Sequence, residues 1–215
     1  MFPVSRNSLG KIMEDRITHF VFDTETLGVE PDAVVLAVAI VPFYFERLDP
    51  FEILLRNGRH WKLKIASQIE RGRKIENETF QWWQKQDEDV RKILLPDPKD
   101  TPPNIALKEM GEFLLQCGYS KKQSYLWSRG NLFDFGKIES LYRTYKIPVP
   151  WNSFMQRDIR TYVDIMTGTY TGRCDPINSR KGFRMHNCLH DAADDALTLV
   201  EQYQKALVEN DDIPY

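Results

Sequence analysis

The hydrophobic positions of this chain fall into runs of two kinds. Residues 18–26, THFVFDTET, form a short apolar block that ends in polar side chains, the pattern of a buried strand leaving the core. After a turn through Gly28 and Pro31, AVVLAVAIVPFYFE at 33–46 is apolar and β-branched enough for a long central strand. FEILLR at 51–56 reads as a third strand, and short polar connections make the three a meander. The period then changes. In NETFQWWQKQDEDVRKILL, 77–95, Phe80, Trp83, Val90 and Leu94 recur at helical spacings. The proline-rich segment LPDPKDTPPN, 95–104, is a linker, and Asn104 is placed to cap the next helix, IALKEMGEFLLQCG. SYLWSRG, 124–130, is a short strand and FDFGKIESLYRTY, 133–145, a helix. QRDIRTYVDIM, 156–166, runs from strand into helix, and DAADDALTLVEQYQKALVEN, 191–210, is a long amphipathic helix. Strands first, then helices alternating with strands, predict an α/β sandwich with a mixed central sheet.

Composition narrows this picture. A chain of 215 residues, 42% hydrophobic and 28% charged, is sized for one core: a domain over 17–210 between an N-terminal arm, 1–16, and a short tail, 211–215. The longest apolar run, 34–45, falls well short of the roughly 20 residues that span a bilayer, so no membrane association is expected. The first sixteen residues lack the apolar core of a signal peptide. Three cysteines without a C-x-x-C pair suit reduced thiols in a cytoplasmic protein. A net charge of −2 does not advertise a nucleic-acid binder. Locally, however, Arg56, Arg59, Lys62, Lys64, Arg71, Arg73 and Lys74 face only Glu70 across one stretch, which is either a basic patch or a solvated loop.

Candidate chemistry lies in the carboxylates. Alternate residues of a strand share a face, so Asp23 and Glu25 project together from the exit of the first strand. Two like charges so close raise each other's pKa unless a cation intervenes, and an oxygen-only pair suits Mg²⁺ or Mn²⁺. A solvent-facing D-x-E at a strand end is the competing reading. Asp134 stands between Phe133 and Phe135 just after a strand-like segment, and His190, Asp191, Asp194 and Asp195 open the last helix. Asp191 suits helix capping and Asp194 solvation. Carboxylates delivered from three separated segments match the way a two-metal phosphoryl-transfer site is assembled.

These residues resemble a known family. Asp23-Thr24-Glu25-Thr26-Leu27-Gly28, the mid-chain Asp134, and His190 five residues before Asp195 are similar to the histidine-subclass DEDD exonucleases of RNase H-like fold. RHWKLKIASQIERGRKIENETFQWWQKQDEDVRK, SRGNLFDFGKIESL, QRDIRT and LHDAADDA resemble the exonuclease A type of T-even bacteriophages and the related small bacterial 3′→5′ exoribonucleases. The resemblance implies an RNase H-like mixed sheet flanked by helices, two divalent metal ions (Mg²⁺ or Mn²⁺), and 3′→5′ release of nucleoside monophosphates from single-stranded DNA or RNA. A cytoplasmic location is expected, that of a host if the chain is phage-encoded, and no obligate protein partner is visible in the sequence. The chain departs from its relatives in its N-terminal arm and in Asn131-Leu132.

Carried over by position, Asp23, Glu25, Asp134 and Asp195 are the metal ligands and His190 the general base; His186 competes for that role but has no aspartate at the matching distance. Thr26, Leu27, Trp83, Gln86, Arg129, Phe135, Arg157 and Arg160 are the candidate substrate contacts. A structural pairing of Asp158 with Arg157 or Arg160 is an equal alternative, and 56–74 becomes a track for the strand's phosphates. Two other functions stay open: removal of a nucleotide cap from RNA 5′ ends, and a module that only binds single strands.

Overall fold

A computed structural model describes residues 17–174 and 180–211, so the arm at 1–16 and tail residues 212–215 lie outside the described residues. The sheet is built from β1 (His19–Thr26), β2 (Val35–Phe43), β3 (Arg59–Lys62), β4 (Leu126–Ser128) and β5 (Gln156–Asp158), in the order β3-β2-β1-β4-β5. β1 pairs antiparallel with β2, as β2 does with β3, and pairs parallel with β4, as β4 does with β5. The sheet is therefore mixed, with the antiparallel order β1-β2-β3 of the expected meander but a different third strand, reached through a helix.

The pleat of β1 decides what each face carries. Phe20 and Phe22 point into a core shared with Leu107 and Met110 of α5 (Pro103–Gln116) and Ile138 and Leu141 of α6 (Asn131–Thr144). Val21 points the other way, against Ile159 and Val163 of α7 (Ile159–Thr167) and Ala192, Ala196 and Leu199 of α8 (Cys188–Asp211). By alternation Asp23 and Glu25 continue the Val21 face and Thr24 the Phe22 face. β1 meets β4 only at Phe20↔Leu126 and Val21↔Trp127, so its carboxylate-bearing end runs beyond the parallel pairing, into the crevice at the carboxyl end of the sheet.

Several expectations need correction. FEILLR is not a strand: Phe51–Asn57 is a helix, α1, with Phe51 and Leu54 buried, a spacing of three that suits a helix face. The third strand is the short, charged Arg59–Lys62 instead. The single helix drawn over 77–95 is broken into Asn77–Gln84 and Glu88–Arg91, with a 3₁₀ turn at Lys92–Leu94. α5 starts at Pro103, not at a cap on Asn104; proline suits the first helical position because its missing N–H has no intrahelical partner there. α8 starts at Cys188, and Asn187 does the capping, its side-chain Oδ1 accepting from His190 N at 3.3 Å. The basic stretch is largely spent within the fold. Arg59 pairs with Glu109, Lys62 with Asp100 and Lys74 with Asp32, while buried Arg73 donates to the Ala33 and Pro31 carbonyls.

Candidate active site

One cavity of about 620 Å³ opens where β1, α6 and α8 converge, and Asp23, Glu25, Asp134, Asp191 and Asp195 all line it. β1 supplies the first two from its far end. Asp134 comes from the first turn of α6 and is buried; Thr24 Oγ1 donates to its Oδ1 at 2.7 Å. That bond links the two faces of the strand end, since Thr24 sits between the two carboxylates it does not face. α8 supplies Asp191 and Asp195, four residues apart and so on one side of the helix.

Carboxylate oxygens of Asp23, Glu25 and Asp191 lie within 4.8 Å of one another. Asp191 therefore belongs to the cluster; the capping role expected for it falls to Asn187. Asp195 is held differently: Arg129 donates to its Oδ1 from Nε at 2.8 Å and Nη2 at 2.6 Å. The acids share an electrostatic conflict. Burial, and then the charges of Asp134, Glu25, Asp191 and Asp195, push the Asp23 carboxyl well above its usual range. Burial, then Asp191 and Asp134, lifts Glu25 to about 8. Asp134 and Asp191 each rise to about 7, burial again leading. Burial also raises Asp195, with Arg129 pulling back. Protons or cations must be shared among these groups at neutral pH. The donor set is all carboxylate oxygen, which fits a hard divalent ion such as Mg²⁺ or Mn²⁺.

The two histidines divide unexpectedly. His186 lines the cavity, in a left-handed backbone conformation at φ 60°. His190 does not line it: its ring edges onto Phe51 at 5.8 Å and lies 6.4 Å from Phe183, and its buried Nδ1 has no hydrogen-bond partner. Burial, with the nearby charge of Arg184, lowers its pKa, so the ring is neutral at pH 7.

The expected substrate contacts separate. Arg129 and Arg160 line the cavity. Gln86 lies in an adjoining one that shares Met185 and His186. Trp83 and Phe135 are 1% and 2% exposed and have no face to offer a base. The Trp83 indole N–H donates to the Thr26 carbonyl at 2.9 Å, and Leu27 packs with Trp83, Val34 and Leu36; these residues brace the end of β1. The Thr26 hydroxyl is turned to the Gly28 carbonyl. The exposed partner is Trp82, with its ring edge-on to His186 at 4.9 Å. Arg157 stacks on Tyr125 and bonds the Phe154 and Gln156 carbonyls. Neither arginine pairs with Asp158, which caps α7 by accepting from Thr161 N and Oγ1, both at 2.8 Å. Sequence reasoning missed Asp191, whose signal was its spacing of four from Asp195. It also missed Arg173, a cavity residue from an irregular loop that carries no local signal.

Comparison with known proteins bears on this geometry. Residues 18–206 match the 3′-5′ exoribonuclease Rv2179c-like domain. The chain is 27% identical over 199 residues to an exodeoxyribonuclease of Enterobacteria phage T4, covering 84% of this chain and 86% of the phage protein. Among solved structures it resembles the nuclease domain of 3′hExo, a DEDDh family member bound to rAMP, with a TM-score of 0.61 and 12% identity over 89% of this chain and 94% of that one. It also resembles the zinc-bound E. coli ExoI–ssDNA complex, with a TM-score of 0.58 and 12% identity over 91% of this chain but 42% of that one. At such identities the structural likeness speaks for the RNase H-like fold.

Proposed function

This chain belongs to the family of Rv2179c-like 3′-5′ exoribonuclease domains and is a 3′→5′ exonuclease; from that premise we propose that Asp23, Glu25, Asp134 and Asp195 hold two Mg²⁺ or Mn²⁺ ions and that His190 is the general base. The observation that carries this reading is the single cavity lined by all four carboxylates, with pKa values raised by burial and mutual repulsion. When bound, the ions lower the pKa of the attacking water and stabilise charge on the leaving 3′-oxygen. The rest is done by the chain. Thr24 fixes the rotamer of Asp134 through its 2.7 Å bond. Arg129 holds Asp195 in place and lessens the repulsion around it. Asp191 adds a third carboxylate beside Asp23 and Glu25. His190 is neutral and without a partner at Nδ1, so it is ready to take the water's proton once its ring turns from Phe51 and Phe183 towards the cavity. A neutral imidazole near pH 7 is the form a general base requires.

The substrate is a single-stranded 3′ end, DNA or RNA, and residues 17–210 act as one domain without an obligate protein partner. The chain works in the cytoplasm, where free Cys117, Cys174 and Cys188 stay reduced. Among the described residues no helix is long and apolar enough to cross a membrane.

The test uses matched DNA and RNA oligomers labelled at the 5′ end, with Mg²⁺, Mn²⁺ or EDTA. A metal-dependent one-nucleotide ladder is expected, and the faster oligomer identifies the preferred sugar. Asp23→Ala should abolish the ladder and His190→Asn should slow it on the order of 100-fold or more. A full-rate ladder from either variant overturns the corresponding assignment.

A further inference from the structure

A second cavity, of about 510 Å³, adjoins the carboxylate site and is lined by Arg129, Arg160, Thr171 and Arg173. The three arginines also line the carboxylate cavity, so the two spaces share a wall. The loop after α7 is shaped to bring them together. Asp164 accepts from Thr169 Oγ1 at 2.9 Å and from Gly172 N at 2.7 Å, and Gly172 returns its carbonyl to Arg129 Nη1 at 2.5 Å. Gly172 has a φ of +62°, and a Cβ on it would stand 2.6 Å from Arg160 Cβ; only glycine lets the loop lie this close to the Arg160 stem. Arg129 is neutralised by Asp195. Arg160 and Arg173 make no ion pair among the described residues, Arg160 acting on Asp195 only through its charge, and two guanidinium groups facing one cavity call for an anion. Guanidinium recognises phosphate better than other cations do, through paired N–H donors.

We propose that Arg160 and Arg173 form the subsite for the phosphate immediately 5′ of the scissile one. This deepens the exonuclease reading and rests on it. The polarity of the reaction selects the position: the 3′-terminal nucleotide ends in a hydroxyl, so any phosphate next to the scissile phosphate lies upstream. The ligand is thus either the second internucleotide phosphodiester of a trinucleotide or the terminal 5′-phosphate of a dinucleotide. A dinucleoside monophosphate, NpN, offers neither.

The experiment measures KM and kcat for NpN, pNpN and NpNpN with the wild-type protein, Arg160→Gln, Arg173→Gln and the double variant. Both arginines are exposed, and circular dichroism melts check that the variants fold. For the wild type, KM for pNpN and NpNpN should be roughly tenfold or more below that for NpN, the scale of charged hydrogen bonds. The double variant should bring that ratio near one. A preference for pNpN alone would assign the subsite to a terminal monoester, and equal preference for both substrates to any phosphate there. A wild type indifferent to the second phosphate, or a double variant that keeps the full ratio, overturns the proposal. If the wild type hydrolyses none of the three and also leaves the labelled oligomers uncut, the exonuclease reading fails instead. The same three ligands titrated into Asp23→Ala, with and without the arginine changes, then decide the subsite from Kd ratios.

Discussion

Asp134→Asn should stabilise the metal-free protein while destroying its activity. The native carboxyl is 3% exposed, and burial, opposed by the Thr24 hydrogen bond and reinforced by the Asp195 charge, lifts its pKa from 3.8 to about 7. A rise of about three units is worth roughly 4 kcal/mol at most, at 1.36 kcal/mol per unit. The charge at the N-terminus of α6 is itself favourable by about 0.5 kcal/mol, and the neighbouring acids share the penalty, so about 2 kcal/mol is the working figure. Because the folded pKa lies above the unfolded one, the neutral carboxyl's contribution is fully present below pH 4. It is lost as pH rises towards 7, and the whole cost stands at pH 8. Asparagine keeps an Oδ1 for Thr24 and has no charge to bury. In EDTA at pH 8 the melting temperature of Asp134→Asn should exceed that of the wild type by about 4–8 °C, at ~2–4 °C per kcal/mol for a domain of this size. The difference should shrink towards pH 4.5. Mg²⁺ or Mn²⁺ should raise the wild-type melting temperature and move that of the variant much less. A variant equal to or below the wild type at pH 8 in EDTA would refute the claim that Asp134 is held in repulsion.

Removing Arg129 should act in the opposite sense. Arg129→Ala leaves the buried Asp195 carboxylate unpaired and should cost about 2 kcal/mol in EDTA, discounted from ~3–5 kcal/mol for a fully buried pair because Arg129 is 27% exposed; divalent ions should recover part of it, as read by thermal melts. The adjacent tryptophans should separate by role. Trp83→Ala should cost about 3–5 kcal/mol from lost core packing, whereas Trp82→Ala should stay within about 0.5 kcal/mol in urea melts and raise KM for oligonucleotides. Gly172→Ala should weaken oligonucleotide binding through the displaced Arg160 stem, with kcat less affected, as a KM-against-kcat comparison will resolve.

The parts of the fold that local pattern controls were legible. THFVFDTET became β1, QRDIRTYVDIM turned from strand to helix between Asp158 and Ile159, and the long final helix stands. What escaped depended on tertiary placement. FEILLR was ambiguous because a short apolar run fits strand and helix alike, and RHWK is a strand only because β2 offers it an edge. At the site, strand alternation and the His190–Asp195 spacing led to the carboxylates. The same reasoning took Asp191 for a cap, since the true start of α8 rests on Asn187. It also singled out Trp83, which is buried, although Phe80 packs in the cluster around it and that spacing of three already marks the inward face.

The cavity draws on segments far apart in the chain: the Thr24–Asp134 bond spans 110 residues and the Arg129–Asp195 pair another 66. Ribosomal synthesis delivers β1 first and α8 after every other described element. On the proposed ligand set, a chain made only as far as α6 carries Asp23, Glu25 and Asp134 without Asp195 and is expected not to cut. An enzyme that degrades nucleic acid would in this way stay inert until its own translation is nearly complete. Activity becomes a report that the last helix has docked.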